Sequence, residues 1–269
     1  RVQSIIISEL KEVAKKYGRP RRTMLVYADE IEEYSPEEDV SDYPVCLFFT
    51  KDGYFKKITP QSLRMSGEQK LKEGDEVTQE TEATNACDLL FFTDRGRVYK
   101  ARCSELNDGK ASVLGEYIPA QMGMEEGENA VYMAVTADYK GYMLFFYENG
   151  KAAKVDLSSY ATKTNRRRLV GAYCEKSPLA ACFQIREDRQ VLLTSAGGRM
   201  LLLHTGAVPA KSTRATQGVA VMTLKRGQRI LRVELFGEGR LQNPDRYRKK
   251  LPSTGALPTP QETAGEQMK

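Results

Sequence analysis

The sequence predicts an all-β, propeller-like body of about four to five blades, preceded by one N-terminal helix. Three observations predict it. A hairpin phrase recurs four times. The copies are spaced like propeller blades. A helical apolar period stands at the N-terminal end, outside the repeats.

The helix comes first. In "VQSIIISELKEVAKKYG" the Ile, Leu and Val residues fall at helical spacing, and Gly18 supplies the stop. The segment begins without a cap at Arg1, as the tail of a longer helix would. Residues 1–26 are therefore read as a helix and its exit. Residues 27–44 follow as an acidic linker, with eight Asp and Glu and no Lys or Arg.

The repeats occupy residues 45–239. The phrases are "LFFTKDGYFKK" (Leu47–Lys57), "LFFTDRGRVYK" (Leu90–Lys100), "LFFYENGKAAK" (Leu144–Lys154) and a looser "VLLTSAGGRML" (Val191–Leu201). Each is an apolar run, a polar corner with glycine, and a second run carrying Lys or Arg. The apolar run suits a buried strand. The glycine permits the positive φ of a tight turn. Taking Gly53, Gly96, Gly150 and Gly197 as corners gives spacings of 43, 54 and 47 residues. Such a unit holds about four strands. A weaker echo fills the second half of the units: "LKEGDEV", "MEEGENAV" and "LKRGQRI" each place a glycine turn before an apolar strand. In the third unit "EKSPLAACFQI" takes that place. One unit cannot bury its apolar face alone, so the units must stack on one another. Residues 240–269 are rich in Pro, Thr and Gly and are expected to be disordered.

Catalytic and metal chemistry find little to build on. The lone histidine, His204, stands at a strand end in "LLLHTGAV" and reads as a packed sheet-margin residue. The five cysteines have no CxxC spacing and read as buried, reduced thiols of a cytosolic protein. "SAGGRM" lacks the Lys-Ser/Thr of a phosphate-gripping loop. No catalytic residue, cofactor or metal site is expected. No apolar run approaches the roughly 20 residues of a membrane span, so no membrane partner is expected either.

Charge is the informative property. The net value is +5, but residues 150–233 carry sixteen Lys and Arg against four Asp and Glu. Solubility alone does not call for such segregation, and a polyanionic partner does. Two clusters between strands stand out, "KTNRRR" (Lys163–Arg168) and "KSTRATQG" (Lys211–Gly218).

The chain resembles the C-terminal part of the A-type subunit of bacterial type IIA topoisomerases, DNA gyrase and topoisomerase IV. The residues that carry the likeness are "ISELKEVAKKYGRPRRT", similar to the end of a coiled-coil tail, the repeated hairpin phrases, and "RATQGVAVMTLKRGQRI". It runs from about Ile5 to Phe236. The resemblance implies a β-pinwheel whose blades exchange strands. It implies a non-catalytic domain that binds and bends double-stranded DNA on its outer rim and presents it to a cleavage gate. The partners implied are the remainder of the A-type subunit and, indirectly, the ATPase B-type subunit, at the cytoplasmic nucleoid. The expected phosphate contacts are Lys163, Arg166, Arg167, Arg168, Lys211 and Arg214. Arg199, Lys225, Arg226 and Arg229 extend them, and Lys57, Arg97, Lys100 and Lys154 on the second strands add to them. Gyrase carries a glycine-rich basic box after its first hairpin. The matching region, Gln61–Asp75, keeps Arg64 and Lys70 but has one glycine, Gly67, and Glu68. With four clear repeats where gyrase has six, this favours a topoisomerase IV-like or divergent protein. A propeller that grips an acidic protein partner explains the repeats and the charge equally well, but leaves the coiled-coil likeness unexplained.

Overall fold

Each of the four repeated phrases folds as a hairpin, and the chain links the hairpins by an exchange of strands. The computed structural model describes residues 2–19, 41–162, 167–237 and 240–259. Two compact units divide it, Arg1–Asp39 and Val40–Lys269. The first unit holds α1 (Val2–Tyr17), closed at its end by a hydrogen bond from the Gly18 amide to the Ala14 carbonyl, 2.8 Å. No residue of α1 is buried. Most of the acidic linker, and residues 20–26 of the expected helix exit, lie outside the described residues.

The second unit is the propeller. β1 (Pro44–Thr50) and β2 (Tyr54–Ile58) form the first hairpin, and β3 (Val77–Thr84) joins the other edge of β1. β4 (Asp88–Thr93) and β5 (Arg97–Arg102) open blade 2. The chain then turns back. β6 (Glu116–Tyr117) pairs with β2 of blade 1 before β7 (Ala130–Thr136) joins β4. The step repeats for blade 3: β8 (Tyr142–Tyr147) and β9 (Lys151–Asp156) open it, β10 (Arg168–Val170) returns to β5, and β11 (Leu179–Ile185) joins β8. In blade 4, β12 (Gln190–Ser195) and β13 (Met200–His204) form the hairpin. β14 (Ala210–Lys211) and β15 (Val219–Ala220) return to β9, and β16 (Ile230–Leu235) joins β12. Among the described residues the sheets therefore number four, and β3, β7, β11 and β16 touch in succession as the innermost strands.

Packing explains why the "LFF" runs are apolar at every position. Strand side chains alternate between faces, and here both faces of a blade are covered. Leu47 and Phe49 pack against Leu89 and Phe91. Leu90 and Phe92 pack against Met143 and Phe145. Leu144 and Phe146 pack against Val191 and Leu193. The Phe49 and Phe91 rings are 5.9 Å apart and Phe92 and Phe145 5.7 Å. Each fully buried Phe contributes about 1.5–3 kcal/mol. The outer face of blade 1 is covered by its own small cluster, Cys46, Phe48 and Ile58 under Leu63 of α2 (Pro60–Arg64). That of blade 4 is covered by Leu241 and Tyr247.

Two expectations change here. The corner glycine of blade 4 is Gly198, with φ +70°, the counterpart of Gly53, Gly96 and Gly150, so the last spacing is 48 residues rather than 47. The segment expected to be disordered from residue 240 is instead fixed over residues 240–259. Met200 and Ala256 exchange backbone hydrogen bonds of 2.8 and 2.9 Å, and the Leu202 amide donates to the Tyr247 carbonyl at 3.0 Å. This segment supplies to β13 the outer-edge pairing that a following unit supplies to the other blades. Residues 260–269 lie outside the described residues.

Candidate nucleic-acid interface

Strand exchange decides which residues reach the outer edge. The returning segments carry the basic clusters of the sequence, because β10 continues "KTNRRR" and β14 opens "KSTRATQG". Arg167 is exposed on the edge of blade 2, with Glu105 3.4 Å away. Its carbonyl accepts the Lys100 amide at 2.7 Å, which fixes the backbone there. Arg168 beside it pairs with Glu125 at 3.2 Å. Lys211 is exposed on the edge of blade 3. Arg214 is half-buried and donates to the Ser159 carbonyl at 3.4 Å. Lys163 and Arg166 lie outside the described residues.

The remaining basic residues divide by location. Lys225 and Arg226 are exposed in the turn before β16. Arg229 pairs with Glu148 of blade 3 at 3.2 Å. Arg199 donates to the Gly255 carbonyl at 3.0 Å, so it anchors the C-terminal segment. Arg64 and Lys70 are exposed in the connection from β2 to β3. The connection itself is pinned by Lys56, whose buried Nζ donates to Gln69 Oε1 at 3.0 Å and to the Lys70 and Ala111 carbonyls at 2.7 and 3.2 Å. Burial lowers the Lys56 pKa, since all three partners are neutral.

Four expected contacts on the second strands are corrected by burial and partnering. Lys57 uses all three ammonium donors inside the protein: Asn85 Oδ1 at 2.8 Å, the Cys103 carbonyl at 3.1 Å and Asp108 at 3.1 Å. Lys154 is buried, 2.5 Å from Asp188 and 4.4 Å from the centre of the Tyr142 ring. Its ammonium, with Thr205, holds the Asp188 carboxyl below its usual range. Lys100 donates to Thr162 Oγ1 at 3.1 Å and sits 5.0 Å from the Tyr139 ring, and burial lowers its pKa. Asn85, Tyr139 and Asp188 each stand just before the first hairpin strand of the next blade. These lysines are therefore staples between consecutive blades. Arg97 is likewise engaged, by Glu125 at 2.7 Å and Glu128 at 3.1 Å. Burial raises the Glu128 pKa, but Thr93, the Glu125 amide, Tyr99 and Arg97 outweigh it and hold the carboxyl below its usual range.

The hub offers a different kind of surface. A cavity of about 750 Å³ is lined by the innermost strands, among them Gln79, Tyr132, Phe183 and Leu235. The Gln79 side chain bonds both backbone groups of Met133 at 2.8 Å, and Gln184 bonds both of Val135 at 2.8 and 2.9 Å. These amides extend pairing from blade to blade. Among the described residues no group of His, Cys, Asp and Glu could hold a metal ion. The five cysteines are buried and free. His204 is exposed, and its Nδ1 accepts the Gly206 amide.

The profile of the DNA gyrase C-terminal domain, beta-propeller, matches residues 45–79, 88–112 and 189–236. The DNA gyrase A protein of Aminobacterium colombiense is 26% identical over 247 residues, 89% of this chain and 30% of that one. The chain is thus similar in sequence to the A subunits of type IIA topoisomerases. The DNA topoisomerase 4 A protein of Staphylococcus aureus is 25% identical, over 87% of this chain and 30% of that one. The chain thus spans about 30% of these two relatives. Among solved structures, the C-terminal domain of DNA topoisomerase IV superposes with a TM-score of 0.70 at 22% identity, covering 81% of this chain and 73% of that one. The E. coli ParC C-terminal domain gives 0.59 at 15% identity, covering 80% and 93%. At these identities the two structures speak for the shared fold. The four blades and exchanged strands match the fold of these domains. No helix among the described residues is long and apolar enough to cross a membrane.

Proposed function

We propose that this A-subunit domain binds and bends duplex DNA along its outer edge and presents it to a cleavage gate elsewhere in the same polypeptide. Strand breakage belongs to that gate, ATP hydrolysis to the B-type subunit, in an enzyme acting at the nucleoid. The observation that carries the reading is the delivery of cationic segments to the outer edges of blades 2 and 3, where Arg167 and Lys211 are exposed. Backbone contacts with little base preference fit such an edge. Smooth bending costs on the order of 1–6 kcal/mol, which several phosphate contacts can offset. About six neutralised phosphates give log affinity against log salt a slope near −5. Titration of the chain with random-sequence duplexes across a salt range tests this. A steep slope independent of sequence is expected. Weak binding with a shallow slope favours a scaffold for an acidic protein instead.

A further inference from the structure

The edge of blade 4 is built from the C-terminal segment, and its chemistry matches the edges of blades 2 and 3. Four residues past the corner glycine, the second hairpin strand of every blade meets its outer segment. In blade 1 Lys57 bridges Asp108. In blade 2 the Lys100 amide bonds the Arg167 carbonyl. In blade 3 Lys154 faces Ala210, with Lys211 next to it. In blade 4 Leu202 bridges Arg248. The Leu202 amide bonds the Tyr247 carbonyl as the Lys100 amide bonds that of Arg167, so Arg246 and Arg248 flank the matching position. Residues 246–250 hold Arg246, Arg248, Lys249 and Lys250 and no acid.

The segment is placed firmly enough to present these charges. Tyr247 is fully buried against Leu192, Met200 and Leu202. Arg248 leans on Asp245 and on Gln190 Oε1 at 3.1 Å, and Arg246 donates to the Leu257 carbonyl at 3.4 Å. Lys249 and Lys250 are exposed and have no ion pair among the described residues. The outer segment of blade 1, residues 107–117, differs. It carries Asp108 and Glu116 against Lys110 alone.

We infer that Arg246–Lys250 is a duplex-binding segment, which carries the phosphate track from blades 2 and 3 onto blade 4 and leaves residues 107–117 of blade 1 outside it. The inference rests on the DNA reading above and adds the path of the duplex. The test compares the 269-residue chain with its Lys249→Glu/Lys250→Glu and Lys110→Glu variants in duplex titrations across salt, with thermal unfolding as the check on folding. Each lost contact makes the slope shallower by about 0.9. The blade 4 variant is expected to be shallower by about 2, and the blade 1 variant to match the unaltered chain. A blade 4 variant with the unaltered slope overturns the inference while leaving the DNA reading intact. A loss at Lys110 equal to that per lysine on blade 4 overturns the proposed path. An unaltered chain that shows no steep salt dependence overturns the DNA reading, and the inference with it.

Discussion

Replacing Lys154 with methionine separates a staple from a phosphate contact. The side chain is 6% exposed and joins β9 of blade 3 to Asp188, just ahead of blade 4. Methionine fills much of the same space but cannot pair with the carboxylate. Breaking a fully buried pair costs about 3–5 kcal/mol. Asp188 is 37% exposed and keeps the Thr205 hydroxyl at 2.8 Å, so water and that donor recover part of the loss. A destabilisation of about 2 kcal/mol is expected, discounted for this exposure. In a domain of this size that lowers Tm by roughly 4–8 °C. Denaturant and thermal unfolding give the stability, and a duplex titration gives the salt slope. The expected result is a less stable protein with an unchanged slope. A variant of full stability whose slope is shallower by about 1 would refute the staple and return Lys154 to the phosphate-binding set.

Two further predictions address the corners of the blades. Glu128 is fully buried and its folded pKa is depressed, so its contribution is present above the unfolded carboxyl value, about 4.3, and is lost as pH falls through the folded value. Glu128→Gln should cost about 1.5–3 kcal/mol near pH 7, and the gap to the unaltered chain should narrow in unfolding scans below about pH 4. A gap that widens on acidification contradicts the assignment. Gly150 has φ +81°, and a Cβ there would lie 2.1 Å from the Met222 carbonyl oxygen. Gly150→Ala should therefore destabilise by more than about 1 kcal/mol, whereas Gly74→Ala, also at positive φ but with open space around it, should cost less.

The hairpins were legible because their signal is local. An apolar run and a glycine corner specify β1–β2, β4–β5, β8–β9 and β12–β13 without knowledge of the rest. The second-half echoes likewise lead into β3, β7 and β16, and "EKSPLAACFQI" contains β11. The exchange was not legible from residues alone. β6, β14 and β15 are two residues long, too short for any period, and their partners lie across an intervening hairpin. The order of the C-terminal segment is not legible for a similar reason. Its composition is polar, and its order comes from a few bridges to β13 and β15's neighbour Met222 together with the burial of Leu241 and Tyr247.

The lysine staples did leave a signal. Lys57, Lys100 and Lys154 each stand four residues after a corner glycine, and Leu202 holds that place in blade 4. The first three face a following blade, and Leu202 faces the C-terminal segment. A cation at a strict structural period, replaced by leucine where the C-terminal segment takes the place of a blade, reads as part of the packing. Arg167 and Lys211, by contrast, lie in segments outside the hairpins.

The central claim is that outer-edge cations on exchanged strands hold the duplex. Its most direct measurement is the salt dependence of duplex affinity in an Arg167→Glu/Lys211→Glu variant that remains folded. A slope shallower by about 2 than that of the unaltered chain is predicted. A slope equal to that of the unaltered chain contradicts the account.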